Sequence, residues 1–393
     1  QILDSDGDPD YYPYQTLYGL GYKNGSEAGA YFTVIANPSL KWETQISTDI
    51  ALEFGLFDCL TGTIEYFKKD SKDLLFDVSQ PASVGVTSII QNIGKVTNSG
   101  VEIELDYNAF KNKDWSVSVG ANATFVKNKI KNLPATMKEN GYISGSKKWL
   151  EGKSIYEFWL RQWHGVDPQT GDGLYVADVS KYNQGNIGTG DGNITQSQFD
   201  EYKKTVVTID GKELTNSYTY AKYDFSGSSI PDVFGGFNVR VSYKNFDLAA
   251  VFSYQLGGQV LDTNYATMMS MTEFGYAQSP DLLKAWKQAG DITEVPRIDN
   301  SAAHTTNIGQ SYSTRWLTSS DYLNLRSVTI GYQFPKAWLS KVMLKSARLN
   351  LTAENLFMLK ARQGLNPMAN YSGVTYNEYM PSRNITLGLN VSF

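Results

Sequence analysis

Four aspartates, Asp4, Asp6, Asp8 and Asp10, alternate around Gly7 near the start of the chain. Carboxylates on alternate positions around a glycine can wrap Ca²⁺, a hard cation that collects many oxygen ligands. The spacing is not that of an EF-hand, whose glycine stands at the centre of the loop. A solvated acidic loop explains the same residues. A second stretch, Asp191-Gly192-Asn193-Ile194, echoes the middle of an EF-hand loop. Its register sets Ile187 and Gln198 at the two ends, where carboxylates are wanted. Calcium at the first group is therefore the one cofactor the sequence suggests, and none is required.

Glu102 and Glu104 raise the question of glycoside hydrolysis, which uses two carboxyls across one bond. With Asp106 they recur on one face of one strand, which suits a wall lining water better than a catalytic pair. No G-x-S-x-G elbow, phosphate-binding loop or H-E-x-x-H is present, so no enzyme is expected. Cys59 is the only cysteine, and His164 and His304 are the only histidines. Trp149, Trp159, Trp163, Trp286 and Trp316 fall in or near expected outer loops. Large, rigid aromatic faces suit sugar rings, and the same rings equally serve loop packing.

The elements that must position these residues are strands. The chain has 393 residues, and 26 Tyr, 18 Phe and 8 Trp favour a pleated, half-buried surface. A net charge of -5 gives no reason to expect a nucleic-acid partner, which would call for a basic patch. No apolar run is long enough for a transmembrane helix. The mean hydropathy of -0.35 is compatible with membrane strands, because they alternate apolar and polar residues. Alternation is strict in segment after segment. Ile385, Leu387, Leu389, Val391 and Phe393 share one face of the last strand, with Thr386, Gly388, Asn390 and Ser392 on the other. The same holds for 42–54, 101–107, 115–125, 237–243, 246–254, 328–334 and 349–353, and more weakly for 60–66. One face reads as lipid-facing, and its opposite as lining a water-filled lumen. A soluble antiparallel sandwich that displays loops to glycans, as a binding or adhesion protein, is the competing reading.

Connections between these segments alternate in length. Residues 55–59, 110–114, 244–245 and 335–346 are short, and 71–95, 255–321 and 355–384 are long. Outer-membrane barrels have short periplasmic turns and long extracellular loops. Two further crossings are expected in 126–236, one through Ile155, Phe158 and Trp163 and one near Leu174-Tyr175-Val176. The expectation is an all-β antiparallel transmembrane β-barrel segment of about eleven strands, with 1–41 as an extracellular loop and 42–393 as barrel.

Several stretches resemble one family, the SusC/RagA TonB-dependent transporters. They are Asn37-Pro38-Ser39-Leu40-Lys41-Trp42-Glu43, Asn92-Ile93-Gly94-Lys95-Val96-Thr97-Asn98-Ser99-Gly100-Val101-Glu102-Ile103 and Gly165-Val166-Asp167-Pro168-Gln169-Thr170-Gly171-Asp172. Tyr243 to Leu248 with Gly257-Gly258, Asp321 to Arg326, Glu354 to Phe357 and the final strand also match, in the family's order. Gly173 replaces the family's usual proline. The resemblance implies a plugged barrel of about 22 strands in the bacterial outer membrane, with loops at the cell surface. It further implies TonB-driven import of oligosaccharides, or of peptides in RagA-like members, and a SusD-like surface lipoprotein as lid. On this reading the chain is the C-terminal half of the barrel. The plug that TonB pulls on and the N-terminal strands would then lie on a second chain or a missing segment.

Overall fold

A computed structural model describes residues 14–80, 82–86, 88–190, 192–270, 275, 277–299, 301, 304, 312–340 and 343–393. Nine antiparallel strands form one sheet in sequence order. They are β1 (Thr44–Leu56), β2 (Leu60–Ser79), β3 (Ser88–Lys111), β4 (Trp115–Asn132), β5 (Val233–Tyr243), β6 (Phe246–Leu256), β7 (Tyr322–Gln333), β8 (Ser346–Lys360) and β9 (Asn384–Ser392). The sheet is open, with β1 and β9 at its edges.

The alternation seen in single strands joins up across the sheet. One register line runs Leu56, Leu60, Tyr107, Val119, Val239, Ala250, Val328, Ala353, Ile385, apolar or aromatic on every strand. A parallel line nearer the short turns runs Trp115, Tyr243, Phe246, Tyr332, Leu349, Leu389. Its rings touch, Trp115 to Tyr243 at 4.3 Å and Phe246 to Tyr332 at 4.6 Å between centroids. No second layer covers this face among the described residues, and many of its side chains are exposed: Phe246 is 55% exposed, Leu389 63% and Ile385 72%. A soluble sandwich would bury such a face under a second sheet.

The opposite face is polar and knitted across strands. Thr329 and Thr352 hydroxyls meet at 3.0 Å, and Asn390 donates to Asn350 at 3.2 Å. Arg348 reaches past β7 to Asp247, Nη2 to Oδ2 2.6 Å. The crossing needs Gly331, since a Cβ there would stand 2.5 Å from the aspartate and 2.6 Å from the guanidinium. Short turns gather at one end. Phe57 and Asp58 take left-handed φ of 56° and 52°. In the Lys244-Asn245 turn the left-handed residue is Lys244, and the Asn245 amide instead donates to Gln333 O at 2.7 Å, bracing the next hairpin.

Two expectations need correction. The sheet has nine strands, not eleven. Residues 157–161 pair with 223–228 and touch 147–149, and 163–166 pair with 173–176, in two small four-stranded sheets. Phe158 and Leu160 are fully buried in a core with Leu261, Leu282, Trp316 and Val374. Period two marks a core strand as well as a membrane strand, and the five residues of 157–161 are about half the 9–11 needed to cross. The second correction concerns 71–95, which is mostly strand. β2 and β3 stay paired as far as Ser79 and Ser88. Above the apolar band β2 is polar from Lys68 to Asp73, where Thr97 donates to Asp70 at 2.6 Å, and apolar again at Leu74, Leu75, Phe76 and Val78, with backbone pairing continuing throughout. Within 1–41, residues 17–24 and 27–34 form a hairpin outside the main sheet.

Candidate functional site

The long connections 133–232, 257–321 and 361–383 build a cap at one end of the sheet. Its core is apolar, and Leu261, Ala266, Met269, Leu282, Ala285, Val295 and Val374 bring all three connections together on Phe158 and Leu160.

Hydrogen-bonded clasps join neighbouring segments at the rim of the sheet. Asn37 donates to Ile90 O at 2.8 Å, and Lys41 N donates to Asn92 Oδ1 at 2.7 Å. Asn92 in turn donates to Lys41 O and Asp73 O, both at 2.8 Å. Gly257 N donates to Asp321 Oδ1 at 2.6 Å, and Asn355 donates to Ser382 O at 3.1 Å. The Asp167–Asp172 turn is a post for the second connection, 257–321. Trp286 Nε1 donates to Pro168 O at 2.9 Å, Arg297 N donates to Gly171 O at 2.9 Å, and the Arg297 guanidinium lies 3.2 Å from Asp172. The stretches that carry the family resemblance are thus halves of structural clasps.

Across the cap runs a ladder of rings and cations. Phe158 and Leu160 point into the core, so strand alternation sends Trp159 and Arg161 to the other face. Lys148 sits 4.1 Å over Trp159, which lies parallel to Tyr223. Arg161 covers Tyr218 at 3.6 Å and donates to the Tyr223 hydroxyl. Tyr218 meets Tyr175 edge-on, Tyr175 meets Trp163, and Arg315 lies over Trp163 at 4.7 Å and Trp316 at 4.3 Å. Trp316 leads through Tyr265 to Arg362, whose guanidinium pairs with buried Asp262 at 3.0 Å. Burial pulls the Arg315 guanidinium down to about 10 and pushes the Tyr218 hydroxyl up to about 12. Burial also brings the Lys147 ammonium down to about 7, with Glu157 opposing. Lys147 Nζ lies 3.1 Å from the Phe158 ring centre and donates to Tyr156 O at 2.9 Å. Tyr175 and Trp316 are closed off inside this ladder, and its half-buried rings, Trp159, Trp163, Tyr218 and Tyr223, are the ones a polar, flat-faced ligand can reach; no nucleophile and base are paired among them.

The five tryptophans separate into roles. Trp149, Trp159 and Trp163 are half-buried, with the last two on the ladder. Trp286 is the peg of the Asp167–Asp172 post. Trp316 is 1% exposed, inside the cap core, and offers no free face to a ligand. Sequence reading missed Arg161, Tyr218, Tyr223, Arg315 and Arg362. The Glu157-Phe158-Trp159-Leu160-Arg161 alternation would have found the first, had it been read as a cap strand. Glu102 faces Glu65 across β2 and β3, and Glu104 borders an open depression with Glu53 and Asp106, as a lining would. Asp4, Asp6, Asp8, Asp10 and Asp191 lie outside the described residues. Among the described residues no three His, Cys, Asp or Glu side chains converge on a metal position.

Residues 7–152 match the family model of the TonB dependent receptor-like β-barrel. The chain is 28% identical to TonB-dependent receptor P3 of Formosa agariphila, over 98% of its own length and 38% of the relative's. It is 24% identical to TonB-dependent receptor SusC of Bacteroides thetaiotaomicron, over 91% of its length and 32% of that protein. The RagAB peptide importer in its closed-closed state superposes with a TM-score of 0.75 at 25% identity, covering 97% of this chain and 39% of that one. The chain therefore spans well under half the length of these proteins. Their family consists of transporters rather than enzymes. Together with the two-faced sheet, these likenesses place residues 7–152 within the TonB dependent receptor-like β-barrel and make the chain, over nearly its whole length, similar to TonB-dependent receptors of the SusC/RagA type, barrel proteins of the bacterial outer membrane.

Proposed function

We propose that the chain supplies lumen wall and surface cap to a TonB-dependent importer of oligosaccharides. One observation carries the reading: an apolar register line crosses all nine strands on one face while hydrogen-bonded polar side chains fill the other. That is the arrangement of a wall between lipid and water. Leu387, Leu389 and their neighbours on β9 then face hydrocarbon. Trp149, Trp159 and Trp163 offer the aromatic faces on which sugar rings stack. A SusD-like surface lipoprotein closes over the cap, and TonB acts through a plug carried by parts of the protein beyond this chain. No cofactor is required. Calcium at Asp4, Asp6, Asp8 and Asp10 is a separate proposal that a binding titration of the full-length protein decides.

The superposition on a peptide importer favours a second reading, in which the cargo is oligopeptide and the ladder cations meet its carboxylates. A strain lacking the full-length gene, grown on defined oligosaccharides or defined peptides as sole carbon source, separates the two. Growth lost on oligosaccharides, and likewise lost when TonB is removed, supports the first reading. Growth lost on peptides alone supports the second, and unimpaired growth on both sinks the importer.

A further inference from the structure

The apolar face of the sheet is not smooth. Near its long-loop end β5 to β8 share a groove of about 630 Å³, walled by Phe237, Tyr254, Leu256, Leu323 and Leu359. Tyr254, Leu323 and Leu359 continue one register line across three strands. The groove has a cause in the backbone. Pairing slips between Val251 and Phe252 of β6 against β7, and between Leu325 and Ser327 of β7 against β8. Such bulges bend a strand and raise its twist, which opens a furrow where neighbours would otherwise lie flush. The walls are fixed. The Tyr254 hydroxyl donates to Asn122 O at 3.0 Å, two strands away, and Phe237 stacks on Phe252 at 4.5 Å.

We propose that this groove is a binding site for one hydrocarbon chain of a membrane lipid. The proposal rests on the membrane-facing reading of this face. The groove is continuous with the apolar register lines, so its natural occupant comes from the phase those lines contact. Its walls are mostly carbon, and its polar lining, Ser319, Asp321 and Lys360, lies where β7 begins and β8 ends, at the long-loop end of the sheet. A chain lying in it would have its headgroup end toward the cap. A concave wall of immobile rings gives each methylene more contacts than a flat strand face does, so a chain seated here outlasts the bulk lipid around it.

The test uses the full-length protein in phosphatidylethanolamine vesicles doped with phosphatidylethanolamine that carries a diazirine midway along one acyl chain. Cross-linked peptides are mapped after illumination. Labelling is expected to concentrate several-fold on Tyr254, Leu323 and Leu359 over Leu248 and Leu351, lower on the same face. Leu323→Trp fills the groove and should cut labelling at Leu359 several-fold without changing Leu248. Leu359→Phe is an independent filling variant, and retention of the heat-modifiable gel band shows that either has folded. Equal labelling of groove and flank overturns the proposal, since the lipid is then only annular. A silent groove between labelled flanks also overturns it, because another protein surface fills the site. No labelling anywhere on this face instead defeats the membrane-facing reading beneath it.

Discussion

Lys147 is held where an ammonium ion is poorly solvated, against the Phe158 ring and a single carbonyl. Burial brings its pKa from 10.5 down to about 7. The unfolded segment therefore binds a proton that the folded one has lost between roughly pH 7 and 10, and cap stability rises with pH through that window. Below it the penalty is fully present. Lys147→Met keeps the aliphatic packing and removes the titration. Hydrogen-exchange protection at residues 147–160, taken relative to the intrinsic rate at each pH, should rise with pH in the parent and lose that trend in the variant. An unchanged trend would assign it to another group. Tryptophans separate in the same way. Gly171 has φ +73°, and a Cβ there would stand 2.4 Å from the Trp286 ring. Gly171→Ala should therefore loosen the 277–299 connection by about 1–3 kcal/mol, read as new protease cleavage there. Trp159→Ala should weaken cargo binding while leaving that connection resistant. If both variants produce the same cleavage, the division between peg and platform fails.

The strands were the readable part of this chain. A face that meets one solvent throughout imposes period two on every strand, and 115–125 or 385–393 can be read without any partner. What could not be read is which solvent a short alternating run meets. Phe158 and Leu160 alternate just as Leu387 and Leu389 do, and only partners more than 100 positions away in sequence, from Leu261 to Val374, make the first pair a core. The ladder was invisible for the same reason, since Arg161, Arg315 and Arg362 meet their rings through folding of separate loops. The extension of β2 and β3 beyond the apolar band was hidden because the polar run from Lys68 to Asp73 interrupts the period-two signal, while backbone pairing needs no apolar side chain to continue. The inside-outside assignment of β9 predicts a contrast between neighbours. Leu389→Arg, which places a charge in hydrocarbon, should cost about 2–4 kcal/mol and abolish assembly into the outer membrane. Asn390→Arg, on the lumen face, should assemble normally. Heat-modifiable gel mobility of membrane fractions reads both, and equal loss in the two would reverse or cancel the assignment.

At the scale of the molecule the unsolved quantity is the two sheet edges. β1 pairs only with β2 and β9 only with β8 among the described residues, so each presents a row of unpaired backbone groups. In hydrocarbon no water can satisfy these groups, and each one left alone costs several kcal/mol. An edge of β9 length, nine residues, could not persist against lipid by any side-chain adjustment. On the membrane-facing reading we propose that further strands supply these hydrogen bonds, which the relatives' much greater length has room to encode. Residues 1–393 expressed alone and refolded into detergent should accordingly give no heat-modifiable closed species, and should associate through their edges as concentration rises. The full-length protein should give a single compact, heat-modifiable band. Cysteine pairs offer the sharper check. One placed in β9 of the full-length protein should form a disulfide with a strand outside this chain and not with β1. A β1–β9 disulfide formed in high yield by the fragment would mean that the nine strands close on themselves, and the lumen would then be too narrow for the importer proposed here.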